Sequence, residues 1–456
     1  MSLLRSLRLR TVASTSAGLA FAAINFLACV QIADQTVPSL AWVSILTAGI
    51  LCLLTAASFS ELSGIYPTAA AIRVWMKHAI GENFALTVTF LYMTTVLWVI
   101  AADSFVLAHA VHAGIPQVPA IFWVFLFLTA ATLANLRGVR LAGLLQDLTT
   151  FTLLGLLALV SVVFLVGHGI AWPAAAVSVA QAGPGGFLTA VALGVFIYVG
   201  FEWVTPLAEE VLDARVIPGG LFLGLGMVGV AFALFTLVLT EAVPAAKLGH
   251  TLIPQLLVGR AALGPVGFWI MLFITAVTAL TTFNGGFVTA SRFIYASGRE
   301  RTLPGAFGRL NHRFAPHVAL LAMYGVTLVL AVVVFATGKF QILIGAGAAL
   351  EAFIYAVAAW CVISLRRRQP QRPRPFRFPG SPYLPGLAMV VFTVLAVASA
   401  TNPVPDLPDR QVPWTLLLLL FLAAASFSYV RWVVPRLRAT RPRTRRPGEV
   451  PDQPGD

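Results

Sequence analysis

The residues of this 456-residue chain that are best suited to chemistry are acids embedded in long apolar segments. Glu202 lies in the stretch FLTAVALGVFIYVGFEWVTPLAEE, between Gly200 and Pro206. A carboxylate inside a bilayer is costly unless it faces protein or a water-filled cavity. Gly and Pro weaken the helical hydrogen bonds on either side of it. The pattern therefore predicts a membrane helix that is broken at a solute site, with Glu202 contacting a solute ammonium group or carrying a proton.

The alternative for Glu202 is a carboxyl held neutral by burial and hydrogen-bonded to a neighbouring helix. Asp103 and Glu351 are the other embedded acids, and each either takes a proton or lies in a polar seam between helices. Glu61 ends an apolar segment. We expect Glu61 to pair with a loop arginine, such as Arg292 or Arg137, as an inner gate or a structural lock.

Aromatic and hydroxyl side chains complete the set of candidates. Tyr198, Phe201 and Trp203 surround the predicted break, where they could cap and gate a small cationic solute. Plain packing is the alternative for each of them, and Phe201 is the one for which we favour function. Thr281 and Thr282 could help to ligate Na⁺, although such threonines more often bond back to their own helix.

The composition defines the class of protein. Hydrophobic residues make up 59% of the chain and charged residues 10%, against about 25% charged in soluble domains. The chain is therefore predicted to be an all-α integral membrane protein with twelve transmembrane helices of about 20 residues or more. The predicted spans are 12–33, 40–60, 84–111, 119–135, 144–167, 187–209, 218–240, 262–290, 317–336, 341–364, 383–401 and 412–434.

The net charge of +13 follows this topology. All but four of the 30 Lys and Arg residues fall on one predicted side of the membrane, which places both termini in the cytoplasm. The basic residues can also contact anionic lipid, whereas their distribution does not favour nucleic acid as a partner. The exceptions are Lys247, Arg260, Lys339 and Arg410.

The spans divide the chain into a core and its periphery. We predict a cytoplasmic N-terminal tail (1–11), a ten-helix transport core (12–364), a Pro/Arg loop (365–382), two peripheral helices (383–434) and a cytoplasmic tail (435–456). The Pro/Arg loop is expected to be extended and solvated. Spans one and six each carry a polar residue inside an apolar run, Asn25 and Glu202, which is typical of inverted repeats with a site between them.

Four motifs resemble those of the amino acid–polyamine–organocation (APC) permease superfamily. They are FIYVGFEWVTPLAEEV in span six, ASRFIYASGRERTLP after span eight, FSELSGIYP after span two and NLRGVRLAGLLQD between spans four and five. The resemblance implies a leucine-transporter-type fold of two inverted five-helix repeats plus two C-terminal helices. It also implies alternating-access transport of amino acids or related amines.

In that family the broken middles of spans one and six hold the solute. Exposed amides of span one bind its carboxylate, and carbonyls near the span-six break bind its ammonium group, as helix-end dipoles favour. The residues that match these positions are Ala22, Ala23, Ile24, Asn25, Tyr198, Gly200, Phe201 and Glu202.

The chain departs from the family pattern in two places. Its span-one region, AFAAINF from Ala20 to Phe26, lacks the usual glycines. The substrate is then either an amine without a carboxylate, or Asn25 supplies the polar contact. Span five lacks the lysine that couples protons in some members. The coupling species is then a proton carried by a carboxylate, a sodium ion or a counter-substrate.

The main prediction is a secondary transporter in the cytoplasmic (inner) membrane. An amine exchanger of the same fold is the alternative, followed by a channel or sensor. The sequence has no filter repeat and no HExxH, GxSxG or Walker-type motif, so neither an enzyme nor a cofactor or metal site is expected.

Overall fold

The computed structural model describes residues 8–36, 40–68, 71–137, 142–169, 175–211, 213, 215–248, 251–313, 315–380, 382–402 and 412–439. These residues form helices and connecting segments, and they contain no β-strand. Most of the two predicted terminal tails lies outside them. The helices are α1 (Leu9–Ala20), α2 (Asn25–Gln35), α3 (Ala41–Ile65), α4 (Ala71–Ala79), α5 (Glu82–Gly114), α6 (Ala120–Leu136), α7 (Ala142–His168), α8 (Ala175–Ile197), α9 (Val216–Ala242), α10 (Ala245–Leu248), α11 (Pro254–Arg299), α12 (His317–Thr337), α13 (Phe340–Arg368), α14 (Tyr383–Thr401), α15 (Trp414–Ser428) and α16 (Val434–Ala439).

Within the described residues, ten helices are long and apolar enough to cross a membrane, or eleven when the bent pair α1 and α2 is counted as one span. α6 is apolar but shorter. Each of the twelve segments predicted from hydropathy overlaps a described helix. The all-helical, many-span architecture is therefore confirmed, while the count of twelve stays a prediction.

Two helices of the core are interrupted midway. α1 ends at Ala20 and α2 begins at Asn25, with a bend of 60° between them. α8 ends at Ile197, and a 3₁₀ segment (Phe201–Glu210) follows after Gly200. Both interruptions fall where the sequence predicts them, and the first one forms without a glycine.

The two interruptions lie at the centre of the helical assembly. α1 packs against α9, α7 and the 3₁₀ segment, while α2 packs against α8. α3 packs across α8 and α9, and α13 packs against α3, α5 and α8. Apolar side chains from all these helices form one buried core, so the interruptions are enclosed by protein.

The structure extends span eight beyond its predicted start. α11 begins at Pro254 and kinks at Leu263 and Gly264, whose φ of 59° is left-handed. The next residue, Pro265, has no N–H for the helical ladder. Hydropathy identifies the part of α11 after the kink but not the section that precedes the kink.

The Pro/Arg loop is only partly as predicted, because most of its residues between 367 and 380 are exposed but two of its side chains are packed. Phe378 is 2% exposed and the side chain of Arg374 is 10% exposed. Both residues contact Glu61, which lies near the end of α3. The charge distribution predicts that this end of α3 is cytoplasmic. A buried carboxylate provides the partner that a Pro- and Arg-rich composition alone does not reveal.

Candidate functional site

Asn25 joins the two interrupted helices. Its side-chain amide donates one hydrogen bond to the Ala20 carbonyl at 2.9 Å and another to the Ile197 carbonyl at 3.1 Å. These carbonyls belong to the last residues of α1 and α8. Because a helix end leaves its carbonyls without helical partners, one buried amide satisfies an acceptor at each break. Asn25 is therefore in the predicted place and makes a contact with the backbone.

Gly200 allows the two breaks to lie against each other. Its φ of 107° is one that L side chains rarely adopt. A Cβ atom on this residue would lie 2.6 Å from the Leu19 carbonyl oxygen, so a side chain would collide with α1. Across the same contact, the Ser16 hydroxyl donates to the Phe201 carbonyl at 3.0 Å. The approach of the two backbones therefore depends on glycine at this position.

Glu202 is fully buried beside this contact. Its Oε1 accepts a hydrogen bond from the Tyr92 hydroxyl at 2.9 Å, and its Oε2 accepts from the Tyr355 hydroxyl at 3.1 Å and from the Gly200 N–H at 3.2 Å. The carboxyl group thus connects the span-six break to α5 and α13. These bonds are those expected of a buried carboxyl that is hydrogen-bonded to neighbouring helices, which is the alternative to a role in transport. They also hold the carboxyl group at the break.

Glu351 is the second acid at this place. It lies one helical turn before Tyr355 on α13, so the two side chains share a face. Glu351 is fully buried and lies within electrostatic range of Glu202. In the part of the chain that the structure describes, neither of its carboxyl oxygens has a hydrogen-bond partner. Glu351 can therefore still accept hydrogen bonds from a solute, whereas Glu202 already accepts three from the protein.

Asp103 lies at the other break. Its Oδ1 accepts a hydrogen bond from the Ile24 N–H at 2.7 Å, and its Oδ2 has no partner among the described residues. The Ile24 amide is one of those that the family resemblance assigns to a solute carboxylate. Ala22 and Ala23, which precede it, are buried with it.

The aromatic candidates differ in their surroundings. The Tyr198 hydroxyl donates to the Ile45 carbonyl of α3 at 2.8 Å and lies between Gly49 and Gly229. Phe201 packs edge-on against Tyr355, with 5.8 Å between ring centroids. Phe201 therefore packs against a tyrosine that binds Glu202, whereas the hydroxyl of Tyr198 links the end of α8 to α3.

The two threonine candidates lie on α11. The Thr281 hydroxyl donates to the Thr278 carbonyl at 2.7 Å. Thr281 therefore bonds back to its own helix, which is the alternative to a role in Na⁺ binding. Thr282 is fully buried, lies near Asp103, and has a hydroxyl oxygen with no clear hydrogen-bond partner within the described ranges. Of the pair, Thr282 is the one whose oxygen remains available.

Glu61 pairs with arginines other than the two expected. Arg366 donates to it from Nε at 2.9 Å, and Arg374 donates from Nε at 3.2 Å. The Phe378 N–H completes the set at 2.7 Å. The prediction of an arginine partner is right in kind, but Arg292 and Arg137 are the wrong residues. The partners come from the end of α13 and from the Pro/Arg loop.

Sequence reasoning missed the tyrosines that bind Glu202. Tyr355 carries a usable signal, because it follows Glu351 by one turn on the same apolar helix. Tyr92 carries none, since a tyrosine in the middle of a long apolar span is equally consistent with packing.

The fold and the site together define an all-helical membrane protein with two discontinuous helices and buried acids at their breaks. A crystal structure of the Eremococcus coleocola manganese transporter, in complex with an aromatic bis-isothiourea substituted compound, superposes with a TM-score of 0.63. The match covers 96% of this chain and 98% of that one at 14% sequence identity, which shows the fold alone.

The chain belongs to the Amino acid permease family, whose family model matches residues 7–425. This match confirms the resemblance to APC permeases. The branched-chain amino acid permease BcaP of Bacillus subtilis (strain 168) is 28% identical over 228 residues, and the alignment spans about half of each protein, 48% of this chain and 47% of the permease. The γ-aminobutyric acid permease of Escherichia coli (strain K12) is 25% identical over 71% of this chain and 72% of its own length.

Proposed function

We propose that this protein is a secondary active transporter that moves an amino acid or a related amine by alternating access. The solute is held between the broken middle of α1 and α2 and the break after α8. The observation that carries the proposal is the pair of buried breaks joined by Asn25, with Glu202 at one and Asp103 at the other. Peptide groups released from helices are available there to bind a small polar molecule.

The proposed topology has twelve spans, ten of them in two inverted repeats, with both termini in the cytoplasm and the protein in the inner membrane. The uneven distribution of Lys and Arg supports this orientation. Contacts between predicted cytoplasmic segments support it as well. Glu61 meets the Pro/Arg loop, and Glu82 of α5 meets Arg438 near the C-terminus.

Each remaining candidate has a proposed role. Glu202 and Glu351 take part in solute binding and proton transfer, while Phe201 and Trp203 gate the site. Glu61 locks the cytoplasmic side. Thr282, with Thr281 beside it, is the proposed Na⁺ contact, so the candidate coupling species are H⁺, Na⁺ and a counter-substrate.

The relatives support a small nitrogen-containing solute. The names of two of them specify branched-chain amino acids and γ-aminobutyric acid, which share an amino group and a carboxylate but differ in their spacing. An exchanger for amines on the same fold is the second candidate, favoured by the acids around the breaks. A channel or a sensor has less support, because both breaks are closed within the helical core.

Uptake into proteoliposomes tests the proposal, with purified protein and radiolabelled amino acids or amines under imposed proton or sodium gradients. We expect saturable accumulation that depends on a gradient or on internal solute. Glu202→Gln should retain a folded protein and lose most of this uptake, or its dependence on the gradient, because the neutral amide cannot exchange a proton or neutralise an ammonium group.

Glu241→Gln is the matched control, since it makes the same change at the far end of α9 and should leave uptake unchanged. Uptake by Glu202→Gln at the wild-type rate, with wild-type pH dependence, would contradict the role given to Glu202. Non-saturable flux would instead indicate a channel.

A further inference from the structure

One peptide group released at the α1/α2 break is already bound by a carboxylate of the protein. The Ile24 N–H donates to Asp103 Oδ1 at 2.7 Å. Asp103 and Ile24 are both fully buried. A solute carboxylate would have to displace Asp103 to reach this amide, and two carboxylates so placed would repel each other.

The acids at the two breaks have no cationic partner among the described residues. Asp103, Glu202 and Glu351 are fully buried, and none of them takes part in an ion pair within the described residues. Because an isolated buried charge is costly, these acids favour their neutral forms, and a positively charged solute would supply the counter-charge that allows them to ionise. Such a solute would therefore bind there more favourably than a neutral or anionic one. Elsewhere in the described part of the chain, Glu61, Glu82, Asp147 and Glu300 form ion pairs.

The site also has acceptors for an ammonium group. Both carboxyl oxygens of Glu351 lack a partner in the described part of the chain, and Glu202 lies within electrostatic range. An ammonium group carries three N–H donors and no acceptor, so it matches an unpaired carboxylate. The rings of Phe201 and Tyr355 lie beside these acids, and aromatic faces attract cations.

We infer that the transported solute is a cationic amine without a carboxylate next to its amino group, and that Asp103 occupies the place of that carboxylate. The inference rests on the proposed function, since it assumes that the solute binds between the breaks. It narrows the substrate class from amino acids in general to monoamines and diamines.

Matched pairs of solutes test this inference directly. Leucine is compared with 3-methylbutylamine, and lysine with 1,5-diaminopentane, so that the members of each pair differ only in the carboxylate. Dissociation constants are measured by thermal stabilisation and calorimetry of the full-length protein, and uptake is measured in proteoliposomes. Within at least one pair, we expect the amine to bind at least about tenfold more tightly, as the loss of one buried charged contact would produce.

Substitutions at Asp103 provide the second test. Asp103→Ala frees the Ile24 N–H and should shift the ratio of affinities by about tenfold or more toward the amino acid of the pair. Asp103→Asn keeps the shape of the side chain, and it should weaken the amine preference even if the alanine variant does not fold. Asp213→Asn, at an exposed position, is the control and should keep the wild-type ratio.

The outcomes separate this inference from the proposed function. If the wild-type protein accumulates the amino acids and prefers them to the amines, the inference is wrong while the transporter assignment stands. An unchanged ratio in folded Asp103→Asn and Asp103→Ala would also overturn it. If no solute of either class binds or accumulates, the proposed function itself fails, and the inference fails with it.

Discussion

Asn25 is the residue on which the junction between the breaks most directly depends. Its amide donates to the last carbonyls of two different helices, and one of these, the Ile197 carbonyl, is 172 residues away from Asn25 in the chain. Removing it leaves the Ala20 and Ile197 carbonyls buried without this donor. Each such loss costs about 1–3 kcal/mol. Because both carbonyls lie at the proposed site, the cost is expected to appear in solute binding as well as in stability.

Asn25→Ala should therefore weaken solute binding by about tenfold or more and lower the temperature of unfolding. Asn135→Ala is the matched control. Asn135 is also buried, and its amide donates to Ala131 and to Asn284, away from the breaks. That variant should lose stability but keep its affinity. Equal affinities of Asn25→Ala and wild type, measured by calorimetry, would place the solute elsewhere.

Polar residues of the site are predictable from sequence, but their partners are only partly so. Asp103 and Glu351 are recognisable because acids are rare inside apolar spans. The bond between Asp103 and Ile24 joins residues 79 positions apart, and nothing local encodes it. Glu61 shows the same limit, since many arginines share its predicted side and only packing selects Arg366 and Arg374.

At the scale of elements, the broken helices have different local causes. After α8, Gly200 adopts a left-handed φ and admits the backbone of Leu19 at close range. Between α1 and α2 no glycine is present, and tertiary contacts from Asn25 and Asp103 satisfy the released peptide groups instead. The break after α8 is therefore predictable from local sequence, whereas the break between α1 and α2 depends on Asp103 of α5 and on Asn25 at the start of α2.

Gly200→Ala should destabilise the protein and abolish uptake. The left-handed backbone alone costs a larger residue about 1–3 kcal/mol, and the collision with α1 adds to this. Gly226→Ala is the control, because Gly226 is an exposed helical glycine on α9 with open space around its Cβ direction. It should be neutral or slightly stabilising. Thermal unfolding in detergent distinguishes the two, and a fully stable, active Gly200→Ala variant would refute the close approach.

At the scale of the whole molecule, the residues at both breaks are buried among packed helices, and α1 forms part of this enclosure. The half-helix α1 is held against α7 by Asp147, which accepts hydrogen bonds from the hydroxyls of Thr11 and Ser14. The Thr150 hydroxyl of α7 donates back to the Ser14 carbonyl at 3.1 Å. The Arg10 side chain is 70% exposed, so its 3.6 Å ion pair with Asp147 adds little. Alternating access requires such contacts to break when α1 moves away.

Asp147→Asn should therefore favour the state that is open on the face rich in Lys and Arg, because it weakens the bonds to Ser14 and Thr11. Losing a charge-assisted contact worth about 1.5–3 kcal/mol shifts a two-state population by roughly tenfold or more. The buried thiol of Cys52, which lies near the two central acids, reports the shift through its rate of labelling by a water-soluble maleimide. Labelling of Cys52 should rise severalfold in Asp147→Asn and stay near the wild-type rate in Arg10→Gln, since only the former loses buried bonds. Equal labelling of the three proteins, with unchanged uptake, would show that Asp147 does not hold α1 closed.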